Sequence, residues 1–179
     1  MRTMYASFTA VALVLMPALA AHAQAPIPPD VRQKMSGYVG TWAVEEWVRE
    51  TPSAPEVAQN GSWEASWYFD AFIEWKGSIE SDGETISTVE YEGYDPIIQN
   101  YSYWFGSDGS RGEAYDGEWD GTTIRIQLVE YTTGGEVHRG RCTWPYSADF
   151  TELRDYFCEK LTDGNWWVFR RGSARKMSG

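Results

Sequence analysis

The chain has 179 residues, enough for one domain with a sizeable core, and a formal net charge of −11. A surface this acidic repels phosphate backbones and anionic lipid, which argues against nucleic acid and anionic membranes as partners. Ten tryptophans, eleven tyrosines and seven phenylalanines favour pleated strands and also suit the lining of a cavity.

The N-terminal stretch reads as a targeting segment. Arg2 supplies a positive start, Ala10 to Ala20 is an apolar run broken by Pro17, and Ala21-His22-Ala23 has the small-x-small pattern of a cleavage site. The run is shorter than the roughly 20 residues a membrane span needs, so residues 1–23 are expected to be a cleaved signal peptide. A cut after Ala25 is the alternative. The mature chain is then a periplasmic or secreted protein without a membrane span. In such a compartment Cys142 and Cys158, the only two cysteines, are expected to form a disulfide.

Pro28-Pro29-Asp30 leads into Val31–Ser36, with Gly37 after it, the marks of a short helix. From Gly40 the pattern changes to period two: Trp42, Val44 and Val48 share a face with Glu46, while Glu45, Trp47 and Arg49 take the other. Thr51-Pro52-Ser53-Ala54-Pro55 is a loop by composition. Further strands are predicted at 62–68, 71–79, 85–94, 99–105, 112–119, 123–131, 136–144, 151–161 and 166–171. Ser81-Asp82-Gly83, Ser107-Asp108-Gly109, Asp120-Gly121, Gly134-Gly135 and Asp163-Gly164 separate them with residues that accept positive φ. The spacing predicts an all-β fold: an antiparallel up-and-down barrel of about ten strands over residues 24–172, preceded by a short helix. A two-sheet sandwich is the competing architecture. The small, basic stretch 173–179 is expected to be a flexible tail.

Several stretches resemble a bacterial, often exported, lipocalin-like family of unknown function. They are Met35-x-x-Tyr38-Val39-Gly40-Thr41-Trp42, Glu92-Gly93-Tyr94-Asp95-Pro96 leading to Tyr101 and Trp104, and Ser107-Asp108-Gly109. Gly117–Ile124, Asp163-Gly164-Asn165-Trp166 and Phe169-Arg170-Arg171 continue the likeness. The resemblance covers nearly all of the mature chain and implies a calycin-type barrel with no catalytic residues to carry over. Gly40, Trp42, Gly93, Tyr94, Asp95, Pro96, Arg170 and Arg171 are then structural. In calycins the tryptophan after the first glycine packs on a basic side chain from the last strand, which nominates Arg170 or Arg171 for Trp42. The pair Cys142 and Cys158 departs from the family at large.

Groups that carry chemistry are few. His138 is the only histidine after signal cleavage. A haem-binding barrel such as nitrobindin uses a histidine on iron, but His138, between Val137 and Arg139, reads better as a solvated strand residue. A single histidine without thiolates makes no zinc site. Asp116, Glu118 and Asp120 alternate and could offer oxygens to calcium, yet a solvated strand entering an Asp-Gly turn explains them more simply. Glu45, Glu46, Glu74, Glu90 and Glu92 supply carboxylates for a glycosidase-like pair, but 26 acidic residues guarantee such pairs and select none. No cofactor and no metal are expected.

The aromatic load remains. Trp63 and Trp67 share a face, as do Tyr101, Tyr103 and Phe105, opposite Trp104. The leading expectation is a barrel that holds a small apolar or amphipathic molecule against these residues. The alternatives are a glycan-binding aromatic platform outside the sheet and a barrel-type cyclase or isomerase with one perturbed carboxylate or tyrosine.

Overall fold

The computed structural model describes residues 26–81, 83–132 and 135–177. The segment 1–23 lies outside the described residues. Helix α1 (Pro29–Tyr38) starts on a proline with Asp30 in its first turn, where the fixed φ and the negative charge both suit a helix N-terminus. It runs through Gly37 instead of stopping at Ser36. Gly40, at φ 137°, then turns the chain into the sheet.

Ten strands follow: β1 (Gly40–Val48), β2 (Val57–Tyr68), β3 (Phe72–Ser81), β4 (Glu84–Asp95), β5 (Gln99–Gly106), β6 (Arg111–Asp120), β7 (Thr123–Tyr131), β8 (Val137–Pro145), β9 (Glu152–Thr162) and β10 (Asn165–Lys176). Each pairs antiparallel with its neighbours in sequence, and β1 pairs with β10, so the sheet closes into a barrel. Closure leaves no free edge, which settles barrel against sandwich.

Two strands are longer than their composition suggests. β2 begins at Val57, five residues before the predicted start, because Val57 to Gly61 pair fully with β1. The predicted tail is a correction: Ser173 to Lys176 are the end of β10, where Ala174 pairs with Val44 and Leu153 and is buried. Small residues there permit close packing at the barrel's base.

Odd strands run away from α1 and even strands return, so the helix lies over one end. That end is filled. Val31, Met35 and Tyr38 of α1 are buried with Trp42, Ile73, Tyr94, Ile124, Tyr146 and Leu153. Trp42 is 1% exposed, and its indole Nε1 donates to the Tyr38 carbonyl at 2.8 Å. Its cationic partner is Lys176, whose Nζ stands 5.3 Å from the ring and donates to the Gly37 carbonyl at 2.9 Å. Arg170 and Arg171 do not meet Trp42. Register places them opposite Val48 and Trp47, toward the other end of β1, whereas Lys176 pairs directly with Trp42.

The remaining predicted structural residues hold the β4–β5 hairpin. Asp95 Oδ1 accepts from the amides of Ile97 and Ile98 at 2.7 and 3.2 Å around Pro96. Gly93 is buried, and a Cβ there would stand 2.8 Å from the Tyr101 ring. Tyr94 is buried in the core.

Candidate functional site

Alternation assigns the inner face. On β1 it is Trp42, Val44 and Glu46; on β4, Glu90, Glu92 and Tyr94; on β5, Asn100, Ser102 and Trp104. Near α1 these positions are buried. Farther along the axis they are not: Gln59 and Trp63 on β2, Thr88 and Glu90 on β4, Glu130 on β7 and His138 on β8 are all only partly buried. These side chains face inward yet meet solvent, so the interior toward the end opposite α1, the lumen, is less tightly filled than the plug.

The boundary between plug and lumen is polar. Glu92 is buried; its Oε1 accepts from Asn100 Nδ2 at 3.0 Å and its Oε2 from Trp75 Nε1 at 3.3 Å. Asn100 Oδ1 in turn accepts from Trp119 Nε1 at 3.1 Å. These donors favour the carboxylate, but burial and then the Glu90 charge outweigh them, pushing Glu92 up to about 8. Burial raises Glu90 as well, against a hydrogen bond from Ser102. Burial thus favours the protonated form of Glu92.

Across the barrel, Glu46 is 1% exposed and accepts from Tyr156 Oη at 2.6 Å through Oε2. Arg170 Nε lies 3.6 Å from the same oxygen. Burial, and then the charge of Glu46, raise the Tyr156 hydroxyl, while Glu46 raises Arg170. Glu46 Oε1 and Arg170 Nε are buried without hydrogen-bond partners. The Arg170 side chain as a whole is 43% exposed although it starts from the inner face of the barrel.

Two irregularities build this arrangement. Asp155, at φ 47°, lies in a bulge of β9 opposite Gly172 and Ala174 of β10, so Leu153 and Tyr156 both point inward across an interval of three. A second bulge between Val168 and Arg170 turns Arg170 toward Glu46 while Phe169 packs inside against Cys142 and Cys158. Gly172 pairs with Glu46, and a Cβ there would come within 2.8 Å of the Glu46 Cβ.

Farther out, Lys160 Nζ meets Glu130 Oε2 at 2.5 Å and lies 4.4 Å from the Phe169 ring. Trp104 and Trp144 pack beside Leu128, Ile126 and the two cysteines. Cys142 and Cys158 are directly opposed on β8 and β9, with Cα atoms 4.1 Å apart.

Of the residues predicted to line a cavity, Trp63 faces inward, its ring 6.2 Å from Trp75 and 6.0 Å from Tyr156. Trp67 packs at the plugged end beneath Arg32, 4.5 Å from its guanidinium. Tyr101, Tyr103 and Phe105 are a correction. Asn100, Ser102 and Trp104 take the inner face, so these three lie outside, with Tyr103 47% and Phe105 55% exposed. Arg171 is also external, paired with Glu56 at 2.7 Å and 5.2 Å from the Trp47 ring.

Asp116, Glu118 and Asp120 do not converge. A bulge separates Tyr115 from Glu118, and Asp120 pairs with Arg125 at 3.2 Å. No group of three metal-ligating side chains occurs among the described residues. His138 sits at the lumen rim, 3.5 Å from Glu136. Two external depressions, about 390 Å³ beside α1 and about 410 Å³ beside Ala43 and Arg175, contain none of the lumen residues. No helix among the described residues is long and apolar enough to cross a membrane.

The crystal structure of Rv2717c from M. tuberculosis superposes with a TM-score of 0.59 at 12% identity, over 86% of this chain and all of that one. The S-type phycobiliprotein lyase CPES from Guillardia theta gives 0.40 at 12% identity, over 83% and 93%. The first likeness is one of fold; the second is too distant to carry an argument. No curated protein matches the chain. Residues 28–155, from the start of α1 into β9, match the model of the family described as "Protein of unknown function (DUF1579)", and the chain belongs to that family.

Proposed function

We propose that this protein is an exported, lipocalin-like binder that holds one small amphipathic molecule in its lumen, entering from the end opposite α1. The observation that carries the reading is Arg170. It is enclosed by the barrel yet 43% accessible, beside the unpartnered Oε1 of a buried Glu46. Buried polar atoms without partners are costly, and a ligand that pairs with them recovers that cost. The apolar part of the ligand would lie on Trp63, Trp104 and Phe169, and its polar part against Glu46 and Glu90.

Native mass spectrometry of protein purified gently from its own host, followed by organic extraction, tests this. The expected result is an adduct of small-molecule mass that Trp104→Ala weakens. An adduct-free protein whose tryptophan emission responds to no amphiphile would reject it. Export has its own test: mature protein should begin at Gln24, and a full-length, cytoplasmic form would reject it.

The barrel-enzyme alternative draws on Glu92, whose raised pKa is of the kind such a site needs. However, both Glu92 oxygens are engaged by Asn100 and Trp75, and the residue lies beneath the lumen floor. The glycan alternative draws on the exposed Tyr68, Phe69, Tyr103 and Phe105. Retardation of the protein in polysaccharide gels, abolished by Tyr103→Ala, would favour it.

A further inference from the structure

The charges inside the lumen do not balance. Among the described residues, Glu46, Glu90 and Glu130 face the lumen with Arg170 and Lys160, while Glu92 lies beneath its floor with a carboxyl that burial drives toward the neutral form. Lys160 is engaged by Glu130 and Arg170 by Glu46. Glu90 has no ion-pair partner among the described residues.

Glu90 also sits between two indoles. Register places it directly opposite Trp75 on β3 and Trp104 on β5, so all three side chains share the inner face. Directly opposed strand neighbours are within side-chain contact. Trp63 stands edge-on to Trp75, extending the aromatic wall. A carboxylate flanked by aromatic rings provides countercharge and cation–π surface at one place. The independent sign of a missing partner is Glu46, 1% exposed, whose Oε1 is buried without a donor.

We infer that the molecule bound in the lumen is an organic cation, an ammonium on an apolar body, with its charge held by Glu90 and Glu46 and enclosed by Trp75, Trp104 and Trp63. This rests on the lumen reading above and names the ligand's class. A bare metal ion fits worse, because the surrounding wall is indole and no third ligating side chain joins the carboxylates. An anion would meet three carboxylates around Arg170, since Glu46, Glu90 and Glu130 all act on its guanidinium.

Three probes of one shape test it on the full mature chain by tryptophan fluorescence and calorimetry: benzyltrimethylammonium, its neutral isostere neopentylbenzene, and the anion phenylmethanesulfonate. The ammonium is expected to bind about tenfold more tightly than either companion. Glu90→Gln should remove that preference while leaving the neutral probe's affinity unchanged. Glu46→Gln, checked for a cooperative melt, is the second variant should the first fail to fold. Equal or tighter binding of the neutral or anionic probe overturns the charge assignment and leaves the lumen reading standing. Binding of none of the three overturns both.

Discussion

The two halves of the barrel share ten strands and one alternation, yet their inner faces are of different kinds. Near α1 the inward positions are Trp42, Ile73, Tyr94, Ile124 and Leu153, sealed by Tyr38 and Met35. Beyond Glu46 and Glu92 they become Glu90, Glu130, Lys160 and Arg170, interleaved with tryptophan and partly wet. A closed sheet satisfies its backbone whatever it contains. Stability can therefore be concentrated at one end while the other is packed less tightly.

Trp42→Ala tests that division most severely. Removing the largest buried side chain of the plug should cost about 3–5 kcal/mol in urea unfolding, without altering which probes the lumen accepts. Normal stability would show that the plug does not anchor the fold. Next comes the Cys142–Cys158 pair, which lies in the wall of the less packed half. If the thiols are joined in the native protein, reduction should lower stability by about 3 kcal/mol for a separation of 16 residues. An unchanged melt in reductant would leave that half without its cross-link.

Glu92 separates the halves, and pH reads it. Its pKa is about 8 in the fold against an ordinary 4.5. Between those values the native state keeps a proton that the unfolded chain has lost. The part of the stability linked to Glu92 is therefore fully present below about pH 4.5 and is lost as pH rises toward and through 8. Glu92→Gln should remove on the order of 2–4 kcal/mol of that decline between pH 5 and 8. An equally steep slope in the variant would place the titration elsewhere, with Glu90 the first suspect. The smallest effect is expected at Lys176→Met, about 1 kcal/mol for the contact with Trp42 and the bond to Gly37. No loss at all would mean Trp42 is held by its own packing.

Much of the plug was legible in the sequence. Period two put Trp42, Val44 and Glu46 on one face, and the turn glycines set ten strands in meander order. The missing information was which face is inside. Tyr101, Tyr103 and Phe105 look like a lining because three rings alternate, yet the buried face is Asn100, Ser102 and Trp104. Hydrophobicity points the wrong way wherever a barrel holds polar groups in its interior. Arg170 was visible as a basic residue of the last strand, but its partner depends on register, and bulges in β9 and β10 shift that register without a composition signal. Glu46 and Glu90 had one usable mark: each shares parity with a residue of the apolar core, Trp42 or Tyr94.

The meander has a consequence in time. Nine of the ten strand pairings join segments adjacent in sequence, while β1 waits for β10. Glu46 meets Tyr156 across 110 residues, and Arg170 arrives later still. A chain emerging from its N-terminus can lay down sheet from β1 to β9, but Glu46 gains its partners only when the final strands arrive. The seam between β1 and β10 is thus the last part of the molecule to exist, and a chain cut short before β10 would leave that carboxylate without the arginine beside it.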